Sequence, residues 1–343
     1  MPPSIPYLGQ TLVRQVFPSH ADFREEHLPS QHGRVVIVTG SSSGMGMELA
    51  RILYLKGATV YLAARSKDKL DRAYKDIVGS APPNSPVGRL EILLLDLADL
   101  TSIKKSAEDF MSREPHLHVL VHNAGVMNPP ANSRTKQGYD LEMGTNCLGP
   151  FLFTQFLLPT LISTTRALRD AGLPANLAAS RIVWTSSISI FAAAPHGMVF
   201  DSQPTSHGTM GGPTIMTDIQ LNYAQSKVGN VFHSAEIVRR YADEGIISIA
   251  LDPGLLKTEL QRNHTPAQKA MGKFFFKDAK YGAYTELFAG FSPEVTVEKA
   301  KEGAFVIPWG KWGCLPQGTK KGIEEGQAKR FWEWCEAEVK QYR

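Results

Sequence analysis

The chain has 343 residues, 43% of them hydrophobic and 20% charged, which excludes a wholly disordered protein. Its 29 Gly and 22 Pro follow no collagen-like or low-complexity period. Lys and Arg number 37 against 33 Asp and Glu, a net charge of +4 with no long basic run, so no nucleic-acid partner is expected.

Residues 1–33 read as an arm, interrupted by Pro2, Pro3, Pro6, Pro18 and Pro29, with TLVRQVF able to form a helical turn or two. A regular alternation follows. Arg34–Thr39 is a β-branched buried-strand run, and Gly46–Lys56 has helical spacing at Leu49, Ile52, Leu53 and Leu55, ending at Gly57. Thr59–Ala64 is a strand, Lys67–Val78 a helix, 79–88 a turn-rich loop and Leu90–Asp96 a strand. Leu100–Arg113 is a helix and Leu117–His122 a strand, and beyond a loop at 124–138 a long helix runs through Thr164. Arg181–Ser186, Ile246–Leu251 and Gly303–Ile307 complete the strands, with a helix over Asn222–Asp243.

Apolar strands alternating with helices build parallel βαβ units covered on both faces. The expected fold is α/β: a Rossmann-type doubly wound parallel sheet with helices on both faces, one domain over 34–310. The N-terminal arm, an insertion at about 190–218 and a C-terminal amphipathic helix within 311–343 account for the remaining length. That helix carries Ala328, Phe331, Trp332, Cys335, Val339 and Tyr342 on one face and mixed charges on the other, which favours docking on the core over an anionic membrane. The 36-residue step from Ser187 to Tyr223 carries Phe191, Met198, Val199, Phe200, Met210, Ile215 and Met216, and predicts a loop edging the active site with an apolar wall. Residues 254–291, with Phe274, Phe275 and Phe276, form a second candidate lid.

Thr39–Gly46 reads TGSSSGMG between the first strand and first helix, the context of a phosphate-binding turn. Gly40 permits a sharp turn, Gly44 close approach to a pyrophosphate, and Gly46 tight helix–strand packing, while the helix N-terminus offers free N–H groups. Tyr223 and Lys227 are four apart on a predicted helix and share a face. A nearby ammonium favours phenolate, so Tyr223 can exchange a proton with a carbonyl or alcohol oxygen, and Ser187 can donate a hydrogen bond to the same oxygen.

Together these motifs resemble the classical short-chain dehydrogenase/reductase family over about residues 33–310, closest in texture to its retinol dehydrogenase-like and WW-domain oxidoreductase-like branch. The resemblance implies a nicotinamide cofactor held by Gly40, Ser42, Ser43, Gly44, Met45, Gly46, the Asp96–Leu97 adenine pair, Asn123–Ala124–Gly125, Pro253–Gly254 and Thr258. It implies Asn146, Ser187, Tyr223 and Lys227 as catalytic residues. Within that set, the second serine of the Ser186–Ser187 pair acts, Lys227 also holds the nicotinamide ribose, and Asn146 holds a relay water. Ala64 stands where the family's NAD users carry Asp, and Arg65, assisted by Ser66 and Lys67, offers donors to a 2′-phosphate, so NADP(H) is preferred over NAD(H). The expected reaction is hydride transfer between nicotinamide and a carbonyl or alcohol of a lipophilic small molecule, most simply ketone or aldehyde reduction. The alternatives are NAD-dependent alcohol oxidation and a catalytically silent NADP-binding regulatory or scaffold protein.

Cys147, Cys314 and Cys335 form neither a CxxC nor an even set, so a disulfide framework is not expected and a reducing compartment fits. No apolar run reaches the length of a transmembrane span. Cytoplasm is the default, with peripheral membrane attachment open. His116, His118 and His122 alternate on one strand face without further ligands, so no metal is expected. The resemblance also implies a homodimer face on the helices at 140–164 and 222–243.

Overall fold

The computed structural model describes residues 12–83, 85–175, 177–202, 211–257 and 276–343. Eight strands form one sheet in the order β3-β2-β1-β4-β5-β6-β7-β8. They are β1 (Val35–Thr39), β2 (Thr59–Ala64), β3 (Arg89–Leu94), β4 (Val119–His122), β5 (Arg181–Thr185), β6 (Ile247–Leu251), β7 (Phe305–Ile307) and β8 (Lys311–Gly313). The first seven pair in parallel, and β8 returns antiparallel on β7 after a short turn. Sequence spacing does not reveal β8, because three half-buried residues carry no periodicity.

Two hydrophobic cores follow from strand alternation. Val35 and Ile37 point into one and Val36 and Val38 into the other. The first core is covered by α3 (Leu100–Arg113), the long α4 (Gly149–Asp170) and α5 (Ile219–Tyr241). The second is covered by α1 (Gly44–Leu55), α2 (Lys67–Gly79) and α6 (Ala279–Phe291), with Ala21 and Leu28 of the arm docked beside them. Residues 12–16 are helical, and Phe23 packs edge-on against Phe288 at 6.1 Å.

The long helix runs from Leu141 to Asp170: a first α-turn at Leu141–Met143, a π-turn over Gly144–Leu148 and then α4 (Gly149–Asp170). By length and mean hydropathy it could cross a membrane, but Leu152, Phe153, Leu157 and Leu161 are fully buried in the first core, which accounts for its apolar composition.

Two expectations are corrected here. Residues 279–291 do not form a lid. They are α6, a core helix with Ala283, Leu287 and Ala289 fully buried, while Phe274 and Phe275 lie outside the described residues. The insertion walls the active site through Ala192 alone among its described residues. It lies on the chain's C-terminal helices, which are α8 (Gln317–Glu324) and α9 (Gln327–Val339), separated by a break at Gly326 with φ 85°. α7 (Val297–Lys301) precedes β7. Met198 is buried in the first core, Gly212 lies against the Trp334 indole, and Arg330 stacks over Phe200 at 4.4 Å while donating to the Asp201 and Gly211 carbonyls. Phe200 finds a partner there, while Val199 and Ile215 stay exposed. Met210 lies outside the described residues.

α9 in turn packs on α4 and α5, with Trp332 edge-on to Phe151 at 4.8 Å and Arg240 over the Trp332 ring at 4.6 Å. The chain's own C-terminal helix therefore covers part of the face on which the resemblance places a homodimer contact. Phe331, fully buried against His233 and Trp334, anchors it. Phe331→Ala is expected to cost about 3–5 kcal/mol in urea-denaturation stability, the range for a truncated core aromatic. A loss below about 1 kcal/mol would mean that α9 is not part of the cooperative core.

Candidate active site

The carboxyl ends of the parallel strands meet along one edge, where an α/β sheet places its ligand crevice. A cavity of ≈ 690 Å³ lies there. The turn after β1 supplies Gly40, Ser42, Ser43, Gly44 and Met45, and the strand ends supply Arg65, Asp96, Leu97, Asn123, Ala124 and Gly125. Ser187, Tyr223, Lys227, Pro253 and Gly254 complete the far side. Twelve-residue α1 begins at this turn, and its N-cap Ser43 makes no side-chain cap bond, so the first amides of the helix are uncapped toward the cavity.

The turn is tied to β4. Asn123 Nδ2 donates to the Thr39 carbonyl at 2.7 Å, and the Ala124 N–H donates to Thr39 Oγ1 at 3.0 Å. Gly40 has φ 70°, and a Cβ there would come within 2.8 Å of Ala124 Cα. Gly46 sits behind the cavity, where a Cβ would fall 2.4 Å from the Asn123 amide nitrogen. Glycine at these two positions is thus required by the approach of the β4 loop. Asn123 braces the turn and also lines the cavity, in which the resemblance places it as a cofactor ligand.

At the end of β2, Arg65 is exposed, lines the cavity, and makes no side-chain hydrogen bond or ion pair among the described residues. Ser66 lines the cavity too, and its hydroxyl accepts from the Lys69 N–H at 3.4 Å as the N-cap of α2. Lys67, the expected donor, is outside the cavity lining and its ammonium pairs with Asp71 at 2.7 Å, one helical turn on. Lys69 lines the cavity instead, a residue the sequence reading passed over. Helical spacing from the N-cap was the signal that could have found it. Asp96 Oδ1 accepts from the Ala98 N–H at 3.0 Å and Leu97 is buried, both on the cavity wall. Thr258 lies outside the described residues.

The other half of the cavity brings together Ser187, Tyr223 and Lys227. Ser187 ends the β5 segment, its hydroxyl accepting from the Ser189 N–H at 3.1 Å and hydrogen-bonding Tyr223. Ser186 is different in kind: it is buried and donates its hydroxyl to the Lys227 carbonyl at 2.8 Å, as a strut between β5 and α5. Lys227 Nζ lies 5.7 Å from the Tyr223 ring centroid and donates to the Thr185 carbonyl at 2.9 Å. Burial lowers the Lys227 ammonium to about 8, while Cys147, Glu142 and Glu286 act against that. Burial also pushes the Tyr223 phenol above its ordinary value, with the Ser187 hydrogen bond opposing it and Glu142 and Asp252 reinforcing it. The expected lowering of that phenol is thus not the state of the protein alone, because the hydroxyl is desolvated and faces the Glu142 and Asp252 carboxyls.

Asn146 lies in the π-turn, just behind the cavity. Its Oδ1 accepts from the Val126 N–H at 2.8 Å, and its Nδ2 donates to the Val126 carbonyl at 3.0 Å and to Ser226 Oγ at 2.9 Å. Both amide hydrogens are committed to protein, so the side chain holds the β4 loop against α5. Sequence reasoning also passed over three buried carboxyls that surround this half, each raised by burial: Glu142 to about 7, Asp252 to about 6 and Glu286 to about 8. Asp252 accepts from the Gly254 N–H at 3.1 Å and from the Ile188 backbone. The alternating histidines separate: His116 is exposed, His118 Nδ1 accepts from the Val35 N–H at 3.0 Å, and His122 Nε2 pairs with Thr154 Oγ1 at 2.7 Å.

Uncapped helix amides, a turn with no room for a side chain at Gly40 and a guanidinium at the far end fit a dinucleotide. Residues 34–200 match the family model described as short chain dehydrogenase. A short-chain dehydrogenase/reductase of Phomopsis amygdali is 40% identical over 338 residues, covering 96% of each chain. Among solved structures, an uncharacterized protein of Mycobacterium paratuberculosis superposes with a TM-score of 0.64 at 25% identity, covering 93% of this chain and 97% of that one. A putative NAD(P)-dependent gluconate 5-dehydrogenase of Beutenbergia cavernae, with NADP bound, superposes with a TM-score of 0.57 at 19% identity, covering 78% and 94%. The chain belongs to the short-chain dehydrogenase/reductase family of nicotinamide-dependent oxidoreductases.

Proposed function

We propose that this protein is an NADP(H)-dependent oxidoreductase that transfers hydride between the nicotinamide and a carbonyl or alcohol carbon of a lipophilic small molecule, working chiefly as a ketone or aldehyde reductase. The observation that carries the reading is the meeting of Ser187, Tyr223 and Lys227 at one end of a cavity whose other end is lined by Arg65 and Lys69. Ser187 and Tyr223 line the same end of that cavity, which supports a shared role on one substrate oxygen.

The cofactor, when bound, supplies the hydride. The residues handle the oxygen and its proton. Tyr223 passes its phenolic proton to the oxygen as negative charge develops there, and Ser187 donates a hydrogen bond to the same atom. Lys227, held on the Thr185 carbonyl, stabilises the phenolate that results. In the reverse direction the phenolate takes the proton from an alcohol. Ala64 leaves the end of β2 without a carboxylate, and Arg65 supports selection of a 2′-phosphate through a charge-assisted hydrogen bond. The support for a lipophilic substrate is the wall near Tyr223, where Val126, Met127, Ile188, Ala192, Leu255 and Phe276 line the cavity.

Tyr223→Phe should reduce turnover by about 10²–10⁴-fold while leaving the NADPH dissociation constant within a few-fold, by fluorescence titration. Turnover retained in this variant would remove Tyr223 as the proton donor. Ser187→Ala should lose rate in the same assay. Ser186→Ala should instead cost about 1 kcal/mol of stability, by urea denaturation, with most turnover kept. Arg65→Asp should weaken NADPH by about tenfold to a hundredfold and not NADH, and equal effects on both would mean another group reads the phosphate. The panel that tests the reaction itself is NADPH consumption with lipophilic aldehydes and ketones.

A further inference from the structure

Glu286 is a carboxyl that neither the cavity lining nor the proton transfer uses. It lies on α6, on the face of the sheet opposite α5, and is fully buried. Its Oε1 accepts from the Thr185 hydroxyl at 2.8 Å, and its Oε2 has no hydrogen-bond partner among the described residues. The carbonyl of the same Thr185 accepts from Lys227 Nζ and Asn230 Nδ2, each at 2.9 Å. One strand-end residue thus stands between a buried carboxyl and a buried ammonium.

Few other groups compete for this pair. Among the described residues Lys227 is the one charged group that acts on Glu286. Lys227 is faced by Glu286, by Glu142 from the start of the long helix, by Cys147 from the π-turn and by the Tyr223 ring. Burying either charge alone is costly, and the cost is offset only when the two charges appear together. Burial brings the carboxyl up to about 8 and the ammonium down to about 8, so both change charge over the same pH range.

We propose that Glu286 is a positioning residue for Lys227: acting across Thr185, its carboxylate keeps the lysine an ammonium above neutral pH. As pH rises, the proton that leaves Glu286 creates the negative charge that retains the one on Lys227. The inference rests on Lys227 having the role assigned above, but its test does not.

The test uses the full chain without cofactor or substrate, with Lys labelled at 13Cε and Glu at 13Cδ, titrated by NMR from about pH 6 to 11, a span that brackets both ordinary and shifted values. Glu286→Gln keeps the size and the bond to Thr185 but removes the charge. The Lys227 midpoint, identified by its absence in Lys227→Met, should fall by about one pH unit or more in Glu286→Gln. In Lys227→Met the Glu286 midpoint should rise by the same amount, because coupling between two sites is reciprocal. A Lys227 midpoint unmoved by Glu286→Gln, or a Glu286 midpoint unmoved by Lys227→Met, overturns the proposal. The second arm decides if the first variant fails to fold. Because no turnover is measured, an inactive wild-type chain would remove the reductase reading and leave this coupling standing.

Discussion

An ammonium inside a protein has to be held, and the way this chain holds Lys227 organises the site around it. The Thr185 carbonyl at the end of β5 receives Lys227 Nζ, and Asn230 of the same helix reinforces the contact. Ser186 then ties β5 to the Lys227 backbone, which leaves Ser187 as the first residue past the strand whose hydroxyl can turn into the cavity. Tyr223 follows from Lys227 by helix geometry alone. Removing the link between β5 and α5 would leave a buried charge without a partner, which is far more expensive than an ordinary lost hydrogen bond.

The cofactor half of the cavity is governed by a different constraint, the close approach of two loops. Thr39 at the end of β1 is bonded to Asn123 and Ala124 after β4, and the space between the loops admits no side chain at Gly40. That crossing presents the start of α1 to the cavity. Two loops rigidly joined to neighbouring parallel strands give a more exact cradle than one free loop could, because the sheet register of β1 on β4 fixes their separation. The lengths beyond this core serve packing. Much of the described insertion and α9 cover one another through Trp334, Arg330 and Phe200, while Ala192 lines the cavity and Val199 and Ile215 stay exposed.

Much of this was legible in the sequence. β2 and α3 fall on the residues their periodicity indicated, and the glycine turn, Tyr223 and Lys227 lie in one cavity as their motifs implied. These features are local: strand and helix periods, a turn chemistry and an i, i+4 pair are written in short stretches of chain. Other features were misread because they depend on a distant partner. Residues 279–291 looked like part of a lid until α1 and the sheet were seen to bury them as α6.

By itself, then, the sequence determined the doubly wound α/β fold, the position of the nucleotide turn and the family to which the chain belongs, because each rests on short-range pattern. Tertiary structure alone decided that Ser186 is a strut while Ser187 faces the cavity, that Asn123 and Asn146 brace loops, and that Glu142, Asp252 and Glu286 surround the reaction centre as buried acids. The physical reason is desolvation: what a hydroxyl, amide or carboxyl can do depends on which groups have displaced its water, and those groups come from elements up to a hundred residues away, as Thr185 and Glu286 do.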